Sequence, residues 1–176
     1  LRVMRPSKVV LVMASAYLNA PPSMYGHTFL RFDHADHPDT LMLSNIINYA
    51  ANQTTSNPIL YSFMGVVGGF EGRFSGMPYY VKIREYSDGE ARDLWEYELP
   101  LSPKQLDMML RYAWELNQTY FDYFFFTENC AYHILDVLDP VLPELPKDDY
   151  LWWVTMPVET IRALMATPGI DLKRTF

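Results

Sequence analysis

Five segments in the first hundred residues carry the hydrophobic pattern of β-strands: residues 8–16, 27–33, 40–49, 79–86 and 92–99. The first segment is apolar on both faces of an extended chain, which is typical of a strand buried in a sheet. The second alternates strictly, so that His27, Phe29 and Arg31 share one face. A polar turn, residues 34–39, separates it from the third segment, and the two are predicted to form an antiparallel hairpin.

The period of the apolar residues changes from two to about 3.6 after residue 102. Ser102 and Gln105 form a capping box with proline at the first helical position, which predicts a helix over residues 103–117. Asn129 is the predicted N-cap of a second helix, and a short helix is predicted over residues 158–166. The pattern predicts an α+β fold, an antiparallel sheet with packed helices, in which all 176 residues form a single domain.

The composition narrows the class of protein. Apolar residues make up 49% of the chain and aromatic residues 15%, which excludes a disordered protein. The longest uninterrupted apolar run, residues 9–13, is too short to cross a membrane. The net charge of −7 and the lack of a basic run argue against nucleic acid as a partner.

Glycine is concentrated in residues 65–76, which remain apolar between the glycines. No Gly-Lys-Ser/Thr follows, so the segment is not a phosphate-binding loop. The glycines indicate either close packing of the backbone or a mobile apolar flap over a cleft.

Cys130 is the only cysteine, so the chain has no internal disulfide. It follows the capping Asn129, and unpaired N–H groups and the helix dipole favour a thiolate at a helix N-terminus. We therefore expect a solvent-facing nucleophile with a lowered pKa, and backbone N–H groups beside it to act as oxyanion donors. The alternative is a small buried core residue, which is the common role of a free cysteine.

His27, after a glycine and at the start of a strand, is the candidate general base. A third group usually orients such a histidine. If Asp33 pairs with Thr40 in the hairpin, Asn48 lies on the His27 face, whereas a shift of one residue places Asn45 there.

The remaining histidines have structural alternatives. His133 lies three residues after Cys130 on the same helix face. It could act as a second base or an oxyanion donor, but we favour a structural role as a hydrogen-bonding group. His34 and His37 lie among aspartates, but a polar hairpin turn explains them more simply than a metal site. A zinc site that also draws in His27 or Cys130 is a minor alternative, and the sequence predicts no metal and no cofactor.

The chain resembles the N-terminal extracytoplasmic domain of the bacterial lipoprotein intramolecular transacylases. The similar segments are residues 23–31 (SMYGHTFLR), 48–51 (NYAA), 68–74 (GGFEGRF), 92–97 (RDLWEY) and 129–130 (NC). The order of the histidine and the Asn-Cys pair is also similar, more distantly, to the permuted papain-like fold of the lecithin:retinol acyltransferases. Those relatives tend to carry a second histidine on the following strand, where this chain has asparagines.

The resemblance implies a permuted papain-like domain that transfers an acyl group on a lipid-linked substrate through a Cys-acyl intermediate. Cys130, His27 and Asn48 are its implied catalytic residues, and the implied binding residues are Tyr25, Phe70, Arg73 and Asn129. The implied setting is periplasmic or extracytoplasmic and at a membrane surface, and one form of it is a domain of a membrane-anchored protein. The implied partner is a lipoprotein or another acylated envelope molecule. The alternatives are a hydrolase of amide or peptide bonds in cell-envelope material, which predicts a polar open groove, and a non-catalytic binding module.

Overall fold

The computed structural model describes residues 6–17, 24–34, 40–89, 92–150 and 153–174. The strands in them are β1 Pro6–Ala14, β2 His27–His34, β3 Asn45–Ala51, β4 Phe70–Pro78, β5 Leu94–Leu99, β6 Phe121–Tyr123 and β7 Lys173–Arg174. The seven strands form one sheet in the order β6-β4-β3-β2-β1-β5-β7, and every neighbouring pair is antiparallel. The α-helices are α1 Pro58–Val67, α2 Tyr79–Ile83, α3 Pro103–Leu116, α4 Cys130–Leu138, α5 Lys147–Tyr150 and α6 Pro157–Ala166. The predicted α+β class and antiparallel sheet are confirmed.

The predicted hairpin is present, although its register differs from the one expected. Phe32 lies opposite Asn45, so that Asp33 aligns with Ser44 rather than with Thr40, a shift of four residues. An even shift leaves every side chain on the face predicted for it. Residues 41–43 form a 3-10 turn, so the third strand begins later than predicted. Residues 35–39 of the connecting turn, with His37, lie outside the described residues.

The strand predicted over residues 79–86 is wrong. Helix α2 occupies its first part and a π-helical segment, Arg84–Gly89, follows. The buried side chains are Tyr79, Lys82 and Tyr86, which recur at helical rather than alternating spacing. Pro78 caps the turn in an extended conformation and ends β4. The aromatic and β-branched residues here favoured a strand by propensity, and tertiary packing overrode it.

The glycine-dense segment forms the end of α1 and most of β4, an inner strand of the sheet. All of its glycines except Gly76 are places of close packing. A Cβ at Gly65 would lie 2.3 Å from the Phe125 ring, and one at Gly72 would lie 1.9 Å from the Tyr49 hydroxyl. Close backbone packing, one of the two expected roles, is therefore the one observed.

The helices pack on the two faces of the sheet unequally. Helices α3, α4 and α6 cover the face that carries Leu30 and Phe32, and most of the core lies between these helices and that face. A smaller apolar cluster, containing Phe29, Tyr79 and Tyr86, covers the opposite face. The predicted helices at residues 103–117 and 158–166 are confirmed, including the capping box at the start of α3. Among the described residues, no helix is long and apolar enough to cross a membrane.

Candidate active site

Asn129 fixes the position at which α4 begins. Its side-chain oxygen accepts the backbone N–H of Ala131 at 2.9 Å, as expected of an N-cap. Its amide nitrogen donates to the carbonyl oxygens of Phe125 at 3.0 Å and Thr155 at 2.7 Å. The side chain thus joins three segments of the chain, and Cys130 is held at the first position of the helix as predicted.

The Cys130 side chain is buried, with 4% of the residue exposed, where the sequence led us to expect a solvent-facing thiol. Burial raises the pKa of the thiol above its ordinary value. The polar groups of Thr28 and the backbone of Ala131, which lie near the sulfur, act on the pKa in the opposite direction. Because desolvation is the larger effect, the direction of the pKa shift is opposite to the one expected, and the resting group is a thiol.

A small cleft leads to Cys130. It has a volume of about 20 Å³, which is room for about one water molecule. Its remaining walls are mostly aromatic or apolar and are formed by Tyr25, Gly26, Tyr123, Phe125, Asn129 and Pro157. Tyr25 is 39% exposed at the mouth, where its ring packs edge-on against Phe126 at 5.9 Å between centroids.

His27 is the first residue of β2 and follows Gly26, whose φ of 93° lies in the left-handed region. A Cβ at that glycine would also lie 2.9 Å from the carbonyl oxygen of Ala14. The Nε2 atom of His27 lies 2.5 Å from Oδ1 of Asn48, which is buried. Asn48, and not Asn45, therefore contacts the candidate base, while its role in catalysis stays a prediction.

The surroundings of His27 keep its imidazole neutral. Its pKa is lowered to about 3, chiefly by burial and also by the charges of Lys82 and Arg92, while the hydrogen bond to Asn48 acts in the opposite direction. The ring packs against Phe29 and Tyr86, with centroids 6.2 Å and 6.4 Å away. A neutral imidazole is the protonation state that accepts a proton, as a general base must.

Thr28 connects the two candidate catalytic residues. It follows His27 directly, and its polar groups lie close enough to the Cys130 sulfur to influence the pKa of the thiol, so Cys130 meets the chain one residue from the histidine. The Thr28 hydroxyl is buried and has no hydrogen-bond partner in the part of the chain that the structure describes. The side chains of His27 and Thr28 nevertheless leave β2 on opposite faces. No hydrogen bond joins Cys130 to His27 within the described residues, and the pairing of these two side chains stays a prediction.

The predicted binding residues fall into two groups. Tyr25 and Asn129 line the Cys130 cleft. Phe70 is a core residue that packs against Tyr61 at 5.1 Å between centroids. Arg73 lies on the surface, where it forms an ion pair of 2.9 Å with Glu71. Neither of these two residues lines the Cys130 cleft.

His133 and His34 also have defined environments. His133 is buried against Tyr49, with centroids 4.1 Å apart, and its Nδ1 lies 3.5 Å from an Asp136 carboxylate oxygen. Burial lowers the pKa of His133 to about 4, and the charge of Lys147 adds to the effect. His34 bonds to Asn45 at 3.1 Å. Within the described ranges, no three potential ligands of a metal ion come together.

A buried ion-pair network occupies the same sheet face as His27. Arg31 is 2% exposed, and its Nε donates to Asp33 at 2.8 Å while a second guanidinium nitrogen donates to Glu96. The Tyr79 hydroxyl donates to Glu96 at 2.7 Å, and the Ser44 hydroxyl donates to Asp33 at 2.8 Å. The network ties β2 to β5 and α2.

Sequence reasoning missed two residues beside the cysteine. Thr28 was assigned only to the face opposite His27, and the signal for it was its position next to the candidate base. The buried Tyr123 accepts a hydrogen bond from the Cys130 backbone, and burial raises its pKa well above the ordinary value. It lies in the aromatic run that precedes Asn129, where nothing in the sequence distinguishes it from its neighbours.

The chain belongs to the family of the Lnb N-terminal periplasmic domain, whose family model matches residues 1–167. The domain is therefore a periplasmic one, as the resemblance implied. No curated protein and no solved structure matches the chain.

Proposed function

We propose that this domain transfers an acyl group on a lipid-linked substrate of the lipoprotein type, with Cys130 as the nucleophile and His27 as the base. The observation that carries the proposal is the placement of the Cys130 sulfur. It lies at the start of α4 and beside Thr28, the residue after a histidine that is itself held by Asn48. The proposed partners are an acylated lipoprotein or a similar envelope molecule and the membrane surface that bears it.

In the proposed first step, the Cys130 sulfur attacks an ester carbonyl and its proton passes to His27. Because Nε2 of His27 faces Asn48, Nδ1 is the atom that takes the proton. The carbon–oxygen ester bond then breaks, and His27 returns the proton to the departing alkoxide. The products of the step are a Cys130 thioester and a free alcohol.

In the second step, an amine attacks the thioester and the carbon–sulfur bond breaks. The amine loses a proton to His27, which passes it to the departing Cys130 sulfur, and the starting thiol is restored. Backbone N–H groups at the start of α4, at the positive end of its dipole, are the proposed donors to the oxyanion of each tetrahedral intermediate. Those of Cys130 and Ala131 bond to Tyr123 and Asn129 in the closed site, so the proposal requires them to exchange these partners for the oxyanion. Water in place of the amine would give hydrolysis by the same route.

The proposal requires the cleft to open, because its volume of about 20 Å³ is too small for an acyl carbonyl and its chain. The exposed pair at the mouth, Tyr25 and Phe126, is the proposed moving part. Aromatic rings and polar groups share the walls of the cleft, so the choice between an acyl substrate and the substrate of an envelope amidase is made by the experiment below.

The experiment is to trap the thioester. The purified domain is mixed with a diacylated lipopeptide or, separately, with a short p-nitrophenyl ester, and its intact mass is measured. We expect a mass increase equal to one acyl group, removed by neutral hydroxylamine. It should be absent in Cys130→Ala and at least tenfold slower in His27→Ala, with a smaller effect in Asn48→Ala. His34→Ala is the matched control and should behave like the parent.

A non-catalytic binding module is the second candidate, and the burial and raised pKa of Cys130 favour it. In that case no ester would acylate the domain, and Cys130→Ala would affect only stability. The hydrolase alternative is separated by the products, because transfer yields an N-acylated amine whereas hydrolysis yields free fatty acid.

A further inference from the structure

Helix α1 exposes an apolar surface to solvent. The relative exposures of five of its ten side chains are Ile59 82%, Phe63 63%, Val66 52%, Val67 51% and Leu60 46%. Residues spaced by three, four and seven positions lie on one side of a helix, so these side chains form a continuous stripe over two turns. The helix has defined ends, an Asn57 cap and a left-handed Gly68, so the stripe belongs to a formed element.

Helix α1 and the chain that leads into it carry no charged residue. No Asp, Glu, Lys or Arg occurs between Asp39 and Glu71, although such residues make up 20% of the chain. Soluble proteins normally place charged residues on the exposed face of a surface helix. An exposed helix that is apolar and uncharged indicates contact with an apolar phase.

Helix α1 is also joined to the wall of the Cys130 cleft. The backbone N–H of Phe125 donates to the carbonyl oxygen of Gly65 at 2.8 Å, and the Phe125 ring fills the space beside that glycine. The same phenylalanine lines the cleft. The next residue, Phe126, contacts Tyr25 at the mouth. The apolar stripe and the cleft are therefore parts of one structural unit.

We propose that α1 is an interfacial helix that docks this domain on an uncharged phospholipid bilayer, with the stripe in the boundary between headgroups and acyl chains. The five side chains expose on the order of 500 Å², within the range of a functional surface patch. A stable protein interface takes about 800 Å² from each partner, so the stripe alone is too small for one. The net charge of −7 makes anionic lipid an unfavourable surface. The inference rests on the proposed function for the lipid nature of the substrate, but bilayer binding needs no turnover.

The test is flotation of the purified domain with vesicles of phosphatidylcholine alone. We expect binding that is unchanged between low and high salt, and a partition coefficient at least tenfold lower in Ile59→Ser/Phe63→Ser. A second variant, Val66→Ser/Val67→Ser, should weaken binding similarly. The matched control, Leu43→Ser/Met165→Ser, removes two side chains that are 62% and 69% exposed elsewhere and should bind like the parent. Thermal melts establish that each variant is folded.

A direct measurement locates the helix. In a Cys130→Ala background, Ile59→Cys is labelled with an environment-sensitive fluorophore, which should shift to the blue on addition of vesicles. Absence of binding, binding only to anionic vesicles, or unchanged binding in both serine variants would overturn the proposal. A dimer that the serine variants dissociate would also overturn it, since α1 would then bind a second copy. Vesicle binding without any thioester refutes acyl transfer alone, and thioester formation without vesicle binding refutes docking alone.

Discussion

Because the folded protein keeps His27 neutral, it should lose stability in acid. This loss can be measured without any assay of acyl transfer. The pKa of His27 is lowered to about 3 in the folded protein, against about 6.5 for an unfolded histidine. The unfolded chain therefore binds the proton first as the pH falls. The stability due to the neutral imidazole is fully present above about pH 6.5 and is lost between that pH and about pH 3.

The size of the effect follows from the two pKa values. At pH 4 the pH is about 2.5 units below the pKa of this histidine in the unfolded chain. At 1.36 kcal/mol per unit, the free energy of unfolding should fall by about 3 kcal/mol. His27 is only half-buried, and solvent screening reduces the expected value to about 2 kcal/mol. His27→Gln removes the titration and retains an amide that can bond to Asn48.

The assay is urea unfolding followed by tryptophan fluorescence at pH 7 and pH 4, for the parent and for His27→Gln. The parent should lose about 2 kcal/mol more than the variant between the two pH values. His133, whose pKa is also lowered, contributes equally to both proteins and cancels. Equal losses in the two proteins would show that the imidazole is not held neutral by burial, and our account of this site would be wrong.

Three further predictions concern packing, charge and reactivity. Gly72→Ala should destabilise the fold by about 3 kcal/mol in urea unfolding, because its Cβ would meet a tyrosine hydroxyl at 1.9 Å. The control is Gly76→Ala, whose Cβ would have its nearest atom at 3.9 Å, and its free energy of unfolding should stay within about 1 kcal/mol of the parent. Arg31→Met should cost about 3–5 kcal/mol because it removes the buried guanidinium that pairs with both Asp33 and Glu96. Arg111→Met, in an exposed pair, should unfold like the parent. Alkylation of Cys130 at pH 7 should be at least tenfold slower in the folded protein than in urea; equal rates would contradict its burial and raised pKa.

Side-chain alternation made the His27–Asn48 contact predictable. The expected hairpin register was shifted by four residues, and the correct asparagine was still chosen because an even shift preserves the faces of the strands. The start of α4 was predictable for a similar reason, since Asn129 carries a local capping signal that tertiary packing did not override.

The features that escaped prediction depend on tertiary packing. The start of α1 had a signal of its own, because Asn57 caps it and Pro58 occupies the first helical position, but the exposed apolar face resembled core sequence. For the segment that begins at Tyr79, alternation and helical spacing both fitted the sequence, and only its contacts distinguish them. The pKa of Cys130 depended on the depth of burial, which the position of a residue at a helix terminus does not determine.

The burial of Cys130 connects the proposed chemistry with the proposed docking. The closed cleft has room for about one water and keeps the thiol neutral, so a thiol reagent in solution meets a poor nucleophile. An acyl substrate that enters from a bilayer brings its own apolar chain, and desolvation of that chain favours opening the aromatic mouth. Phe125 forms both the cleft wall and the contact with α1, so a bilayer held against α1 would lie beside the part of the cleft that has to move. Under the acyl-transfer proposal, the site is closed to water until lipid is present, which is the order of events that favours transfer over hydrolysis.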